Sequence, residues 1–343
     1  MEQNGHKAIL GDIRAIEPEQ LLSAAGLTFG ERSLSAVVRL VSHFPPLASA
    51  LVSTTLAEVF PWICRMIDAI RPRFFVMENV KGLMSSPLKD ENGNNTTGKV
   101  IDVILDEFAK LHYKTVFGVL DAVNYGVPQF RERFVMIGSR DNEDIFLPLP
   151  THFQTHQNAA NRWVTLGDTI SDLENMPGEC AEFSESRLKY LKMVPEGGNW
   201  KSLPPEVLKD AMGGAYESGG GKVGFYRRLS YSQPSPTVVT SPIQKATMMC
   251  HPTKDRPLSV AEYARIQQFP DNWTLTGTTI DKYRQIGNAV PVGLAKAIGD
   301  AIVSVAEGTS TIQVKRVRGT AIHEKIQDAI QIGGICNAKN RTT

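Results

Sequence analysis

A glutamate that directly follows an apolar run is the side chain in this sequence best placed to do chemistry. Residues 74–77 are Phe-Phe-Val-Met, and Glu78 and Asn79 come next. A short continuous apolar run is typical of a buried strand in a parallel sheet. The carboxylate would then lie at the carboxyl end of that strand, where open α/β sheets bind their ligands. A carboxyl group there can exchange a proton with a ligand. Taken alone, the position of Glu78 is equally consistent with a side chain that caps the next turn or pairs with a surface arginine.

Two arginines that flank a glutamate form the second candidate. Gln129, Arg131 and Arg133 alternate along the chain after Tyr-Gly-Val-Pro, with Glu132 between the two arginines. A guanidinium held at a site can stabilise a developing charge on a ligand oxygen. The plain alternative is a solvated strand face, on which Glu132 balances the arginines.

Both motifs, together with two more near the end of the chain, resemble the DNA cytosine-5 methyltransferase family. Glu-Asn-Val at 78–80 resembles its sixth motif, and 125–133 resembles its Gln-x-Arg-x-Arg motif. Residues 256–270 and 285–292 resemble its last two motifs. The motifs stand in the family's order, and the resemblance extends from Thr54 to about Ile302.

The resemblance implies transfer of a methyl group from S-adenosylmethionine to C5 of a cytosine flipped out of double-stranded DNA. Cytosine C5 is a poor nucleophile, and a thiolate that adds to C6 activates it. Glu78 is implied beside N3 and N4 of the base, and Arg133 at O2, with Arg131 as a near-site or phosphate partner. Asn79 would hold the loop, and Gln129 would brace the arginine strand.

The cofactor contacts implied by the resemblance come from two distant parts of the chain. Gly11-Asp12-Ile13 follows an apolar stretch and resembles the family's third motif, whose Asp meets the adenine of the cofactor. An isolated Gly-Asp-Ile is more typical of a plain turn. Asn288 and Ala289, in Gly-Asn-Ala-Val-Pro, are the other expected contacts. No Gly-rich first motif precedes Asp12, so we expect the methionine part of the cofactor to be poorly held.

The nucleophile is missing where the family carries a Pro-Cys-Gln loop. Residues 32–53 are apolar and Ser-rich and fit neither helical nor strand period. With codons chosen to permit it, residues 36–53 read two bases later give GGPPCQSFSTAGKRLGL, close to the family's sequence. The Cys codon would straddle Leu40 and Val41. We interpret this segment as locally frameshifted and expect it to be irregular or poorly packed against the sheet.

Length and composition indicate a soluble enzyme-sized protein. The 343 residues suffice for two domains with their own cores, and 42% hydrophobic and 21% charged residues are ordinary values. No apolar run of membrane-spanning length and no signal peptide are evident, which favours the cytoplasm. The net charge is only +1, so nucleic acid would have to bind at local basic clusters. Cys64, Cys180, Cys250 and Cys336 are scattered, which indicates neither a metal site nor a disulfide framework.

The elements that must position these residues alternate along the first part of the chain. Helical spacing is found at 17–25, 55–70, 100–111, 258–268 and 292–305, apolar strands at 74–80, 115–120 and 134–138, and loop character at 283–291. Alternating helices and buried strands predict an α/β fold with a doubly wound, mostly parallel sheet. By resemblance this is the methyltransferase fold, incomplete at the N-terminus, with Glu78 and Arg133 facing a common cleft.

Four segments are predicted from changes in composition. Residues 1–140 form the first part of a catalytic domain, and 236–307 return to it. Residues 141–235 are rich in Pro, Gly, His and Trp and resemble a smaller, irregular target-recognition domain that binds DNA. Residues 308–343 form a tail of unknown role. We expect a monomer whose system also includes a cognate restriction endonuclease.

Three other functions are compatible with parts of the sequence. A DNA-binding pseudoenzyme would keep the recognition segment without catalysis, and an RNA cytosine methyltransferase would use the same motifs. A plain nucleotide-binding α/β protein does not account for the Gln-x-Arg-x-Arg and Gly-Asn-Ala-Val-Pro motifs together. The missing nucleophile predicts that the chain as it stands is inactive, since loss of a covalent nucleophile removes most of the rate enhancement.

Overall fold

The structure is a computed structural model, and it describes residues 15–25, 35–39, 49–89, 94–217 and 223–309. The expected cofactor residues Asp12 and Ile13 and the expected nucleophile position at Leu40 and Val41 lie outside these ranges. Almost all of the predicted tail also lies outside them.

The described chain divides into two compact units. The first consists of described residues up to Asp121, residues 132–149 and those from Lys296 onward; the second consists of 122–131 and 150–295. The longer segment of the second unit begins at residue 150, and residues 236–295 belong to it. The predicted domain boundaries at 141 and 236 stay predictions.

The first unit contains most of the strands. Its elements are α1 (Pro18–Ala25), β1 (Ser35–Arg39), α2 (Ser49–Ile70), β2 (Phe74–Val80), β3 (Pro87–Lys89), β4 (Asn95–Lys99), α3 (Val100–Lys110), β5 (Lys114–Asp121) and β6 (Glu132–Ser139). A 3₁₀ turn, Lys81–Ser85, follows β2 directly. The predicted strands at 74–80, 115–120 and 134–138 and the helices at 17–25, 55–70 and 100–111 are all confirmed.

The main sheet has the strand order β1-β2-β6-β5. Strand β1 runs parallel to β2, whereas β6 is antiparallel to both β2 and β5. Among these four described strands, β1, β2 and β5 share one direction and β6 runs opposite to them, so the mostly parallel sheet stays a prediction. Only residues 122–131 join β5 to β6, and a parallel crossover needs a dozen or more residues, usually a helix.

Part of the segment expected to be irregular is regular. Residues 35–39 form β1, with Arg39 opposite Glu78 in the strand register, and α2 begins at Ser49. The backbone of these residues is therefore regular, and the expectation of poor packing stays a prediction. The rest of 32–53 lies outside the described residues.

The core of the first unit lies on the helical side of the sheet. Phe75 of β2 and Phe134 of β6 are fully buried and pack in one cluster with Ile63 of α2 and Phe108 of α3. The Phe75 and Phe108 rings lie 4.4 Å apart between centroids. Six of the seven β2 residues are buried, which explains why this strand has no polar alternation in its sequence.

The second unit is mainly helical and irregular. Its helices are α4 (Leu166–Ile170), α5 (Glu185–Leu191), α6 (Pro205–Met212), α7 (Gly214–Glu217), α8 (Val260–Ile266) and α9 (Thr279–Asn288), and α10 (Val292–Ala306) continues from it. Short 3₁₀ turns lie at Ala122–Tyr125, Ala159–Asn161, Ser171–Leu173, Trp200–Ser202 and Lys245–Thr247. The predicted helix at 258–268 is confirmed as α8, and the one at 292–305 as α10.

The predicted loop at 283–291 is wrong, because α9 covers most of it. Thr278 accepts a hydrogen bond from the Asp281 amide, and Asp281 caps the Thr278 amide in return, so a capping box starts this helix. Tyr283 and Ile286 lie one turn apart and are buried in the core, which holds the helix in place. Only the residues after Asn288 match the prediction.

One described stretch, Thr279–Ala306, is long and apolar enough by composition to cross a membrane. Composition alone therefore contradicts the expectation that no segment reaches that length. The stretch is two helices of 10 and 15 residues separated near Pro291, each short of the roughly 20 residues of a membrane span. Ile286, Leu294 and Ile298 are buried within the protein, as in core helices.

Candidate active site

Glu78 and Arg133 meet at the end of β2. Arg133 Nε lies 2.9 Å from Glu78 Oε1, and the two side chains are 14% and 7% exposed. The prediction that carboxylate and guanidinium share one side of the sheet is therefore confirmed. A buried carboxylate is costly without a cationic or hydrogen-bonding partner, so this pairing is what permits an acid at the end of an apolar strand.

The register of the sheet brings these two side chains together. Val135 is directly opposite Glu78, and Arg133 is opposite Val80. Glu78 and Val80 share a face because they are two residues apart, which makes Glu78 and Arg133 diagonal neighbours on that face. The Arg133 Nη1 group also donates to the Glu132 carbonyl at 2.8 Å, and this bond fixes the other end of the guanidinium.

Asn79 and the turn after it hold the strand end in shape. Asn79 is 3% exposed, and its Oδ1 accepts a hydrogen bond from the Val80 amide at 2.7 Å. This is the loop-holding position expected from the sequence. Lys81, at the start of the next turn, forms an ion pair with Glu132 across the two strands. The acid between the arginines therefore faces Lys81.

Gln129 and Arg131 belong to the second unit and are buried in it. The Gln129 amide donates to Gln267 Oε1 at 2.8 Å and accepts from the Val238 amide at 3.1 Å, which agrees with the expected bracing position. Gln267 in turn donates to the Ile286 carbonyl at 2.7 Å. Both glutamines are fully buried. Sequence reasoning missed Gln267, whose only signal is an amide among apolar neighbours near the end of α8.

Arg131 does not have the position expected of a phosphate or near-site contact. The side chain is 2% exposed, and its guanidinium donates to the carbonyls of Val238, Gly287 and Ala289 at 2.8, 2.8 and 3.1 Å. Three main-chain oxygens surround the group, so its contacts give no support to a phosphate or near-site role, which stays a prediction. Arg131 instead fixes the chain that leads into β6, two residues before Arg133.

The cofactor residues predicted from the end of the chain are only partly available to a ligand. Asn288, the last residue of α9, is half-buried. The Ala289 amide donates to the Ile286 carbonyl, and its own carbonyl accepts from Arg131 and Gln267. The main chain of Ala289 is therefore used within the protein. Within the described ranges, the predicted cofactor contacts reduce to the Asn288 side chain.

The described cysteines do not resemble activated nucleophiles. Burial, with a further contribution from Glu107, raises the pKa of the Cys64 thiol to about 12. Burial also raises the pKa of Cys250 to about 12, although Arg228 opposes the shift. A thiol needs a lowered pKa to react at neutral pH. Among the described residues, no group of three or more His, Cys, Asp or Glu side chains is placed to hold a metal ion.

A buried polar network lies within the motif at 256–270, at the start of α8. Glu262 is fully buried; both of its oxygens bind Arg256, at 2.7 and 2.8 Å, and Oε2 also caps the Ser259 amide. His251 Nε2 lies 3.4 Å from Glu262 Oε1. Burial alone would raise the pKa of Glu262, but these hydrogen bonds and the Arg256 charge lower it to about 2.

Comparison with known proteins shows the family to which these motifs belong. The model of the C-5 cytosine-specific DNA methylase family matches residues 52–304, and the chain is a member of that family. The chain is 40% identical over 249 residues to the type II methyltransferase M.Sau96I of Staphylococcus aureus, and this alignment covers 73% of the chain and 55% of that protein. With the type II methyltransferase M.Eco47II of Escherichia coli it is 37% identical over 260 residues, covering 73% and 58%. The chain thus spans little more than half the length of these relatives.

A solved structure shows the same fold at low sequence identity. A candidate DNA modification methyltransferase encoded within an E. coli prophage aligns with a TM-score of 0.56 at 18% identity, covering 87% of this chain and 85% of that one. The family predicted from the motifs is therefore confirmed, and the fold is that of the C5 methyltransferases. The doubly wound parallel arrangement itself stays a prediction.

Proposed function

We propose that Glu78 and Arg133 form the base-activating pair of a DNA (cytosine-5) methyltransferase site. The observation that carries this proposal is the buried ion pair at the end of β2, with 2.9 Å between Arg133 Nε and Glu78 Oε1. A carboxyl and a guanidinium fixed side by side can contact two neighbouring polar edges of one planar base. The family membership of the chain supports cytosine in double-stranded DNA as that base.

Each side chain has a separate task in this proposal. Glu78 binds the cytosine at N3 and N4 and places a proton at N3, while Arg133 holds O2. Both withdraw electron density from the ring, so that a thiolate can add to C6. The activated C5 could then accept a methyl group from a bound sulfonium donor. Transfer of the C5 proton to a water molecule acting as base would expel the thiolate from C6 and restore the aromatic ring. The base must leave the helical stack to reach the pair, so base flipping is part of the proposal.

S-adenosylmethionine is the proposed cofactor, and it supplies an electrophilic methyl group when bound. Asn288 offers it one half-buried amide. Asp12 and Ile13 are proposed to contact its adenosine part, on the strength of their motif alone. We further propose that the protein acts as a monomer on chromosomal DNA in a bacterial cytoplasm, beside a cognate restriction endonuclease.

As it stands, the chain is proposed to transfer no methyl group. No Cys in the sequence lies between Pro and Gln, and the described Cys64 and Cys250 have raised pKa values. The same chain could still bind DNA without catalysis, because the second unit keeps two well-buried cores. This is the second candidate function.

The experiment compares the chain with a repaired version, in which the shifted reading GGPPCQSFSTAGKRLGL replaces residues 36–53. Duplex DNA containing 5-azacytosine captures a thiolate at C6 without methyl transfer. We expect a denaturation-resistant adduct with the repaired chain only. Repaired chains that also carry Glu78→Ala or Arg133→Ala should give little adduct, as should one with Ser in place of the new Cys.

Labelled methyl incorporation gives the opposing test. Incorporation into DNA by the unrepaired chain, above a blank without enzyme and abolished by Glu78→Ala, would show that another group serves as nucleophile. If the repaired Glu78→Ala and Arg133→Ala chains form the adduct in undiminished yield, the pair does not have the proposed role.

A further inference from the structure

A cavity in the second unit carries positive charge that the proposed chemistry does not use. It lies between α5, α6 and residues 243–248 and has a volume of about 380 Å³. Ligand-binding pockets have volumes of roughly 300–1,000 Å³, so it can hold a small group. We refer to it as the α5–α6 pocket.

The polar lining of the α5–α6 pocket is mainly cationic. Arg187, Lys189 and Lys245 face one carboxylate, that of Asp210. Asp210 is already engaged by the Tyr190 hydroxyl and by Lys189, whose Nζ lies 3.5 Å away. In the described part of the chain, neither Arg187 nor Lys245 has an acidic partner within ion-pair distance. Ser184 and Ser186 add two hydroxyl groups to the same lining.

The remaining wall is aromatic and held in place by hydrogen bonds. Tyr190 and Tyr226 meet edge to face with ring centroids 5.6 Å apart, and Phe225 lines the pocket beside them. The Tyr226 hydroxyl donates to the Ala211 carbonyl at 2.9 Å. Arg187 Nη1 donates to the Ile243 carbonyl at 2.7 Å, which holds the guanidinium at the pocket. The pocket therefore exists before a ligand arrives.

We propose that the α5–α6 pocket binds a phosphodiester group of the DNA backbone together with its adjoining sugar. Two cations without acidic partners and two hydroxyls suit a phosphate oxyanion, and the aromatic wall suits the sugar or base attached to it. The proposal rests on the proposed function for its source of phosphate, since inorganic phosphate and free nucleotides share this chemistry. Its role is positioning, because phosphate contacts fix the register of a protein on a duplex and carry no sequence information.

The experiment measures duplex binding by the full chain over a range of salt concentrations. Lys245→Gln and Arg187→Gln should each lower affinity equally for two duplexes of unrelated sequence. Each should also reduce the slope of log affinity against log salt by roughly one. Lys209→Gln is the matched control, because Lys209 is exposed on α6 but does not line the pocket. Lys245 is itself exposed, so its replacement leaves folding intact.

Parallel titrations identify the source of the phosphate. Inorganic phosphate and a deoxynucleoside monophosphate are added to the same variants, with binding followed by phosphorus NMR. Duplex binding with an unchanged salt slope in both variants overturns the proposal and leaves the proposed function standing. If the wild-type chain binds no duplex, both this proposal and the proposed DNA substrate are wrong. Loss of small-phosphate binding in Lys245→Gln would then show that the pocket binds free anions instead.

Discussion

Replacing Glu262 with glutamine should destabilise the second unit by about 3 kcal/mol at neutral pH. The pKa of this carboxyl is about 2 in the folded protein, against an ordinary value of 4.5. That difference corresponds to about 3 kcal/mol at 1.36 kcal/mol for each tenfold change in the proton equilibrium. Removing one partner of a buried ion pair costs roughly 3–5 kcal/mol in other proteins, which agrees.

The effect should depend on pH in a defined direction. Because folding lowers the pKa of Glu262, its contribution is complete above pH 4.5 and is lost as the pH falls toward 2. At pH 3 the difference between the wild-type chain and Glu262→Gln should shrink to about 1 kcal/mol. Other carboxylates titrate in both proteins, so the difference between them isolates this one.

Urea denaturation followed by tryptophan fluorescence measures both values, and Trp163, Trp200 and Trp273 all belong to the second unit. The control is Asp281→Asn, because Asp281 completes the same kind of capping box on α9 but is 42% exposed. A cap contributes about 1 kcal/mol on its own. Equal losses for the two variants at pH 7, or a gap that does not narrow at pH 3, would refute the reasoning.

Three further outcomes are expected. Gly287→Ala should destabilise the protein by roughly 1–3 kcal/mol, because the added Cβ would come within 2.6 Å of the Val239 carbonyl. Gly299→Ala places its Cβ in open space and should stabilise α10 by up to about 1 kcal/mol. Thermal unfolding of both variants measures the difference. Arg131→Met should cost roughly 3 kcal/mol or more in urea denaturation, because three buried carbonyls lose their donor; a loss below 1 kcal/mol would contradict the contacts. Cys64 should react with iodoacetamide at pH 8 far more slowly in the native chain than in urea, as mass spectrometry can show, because its pKa is about 12.

The strand and helix positions that sequence reasoning found correctly are those with strong local signals. The apolar run of β2 has no competing interpretation, and the bounds 74–80 were found to the residue. Ser259 and Glu262 form the capping box that their spacing predicts at the start of α8. The meeting of Glu78 and Arg133 followed from a shared place at strand ends.

The errors have specific physical causes. The loop assigned to 283–291 overlooked the Thr278–Asp281 capping box and the buried Tyr283, which favour a helix. The buried place of Arg131 was not visible in the sequence, because its acceptors are main-chain carbonyls more than 100 residues away. Main-chain acceptors carry no residue-type signal, so only the fold shows them.

The antiparallel direction of β6 in the sheet is a further feature that sequence reasoning did not predict. An alternation of helices and strands predicts a parallel sheet only if each strand pair is joined by a long crossover. Residues 122–131 are too few to form such a crossover, and they belong to the second unit instead. The length of that connection was available in the sequence, and it was the signal that distinguished the antiparallel β5–β6 pair.

The residues between β5 and β6 have a consequence for protein engineering. A recombinant exchange of the second unit between relatives would naturally cut the gene at residues 150 and 295. That cassette leaves Gln129 and Arg131 behind, although their partners Val238, Gln267 and Gly287 travel with it. A chimera must therefore inherit both pieces from one parent, or match them by mutation. The second unit of this chain is thus transferable only as two separated gene fragments.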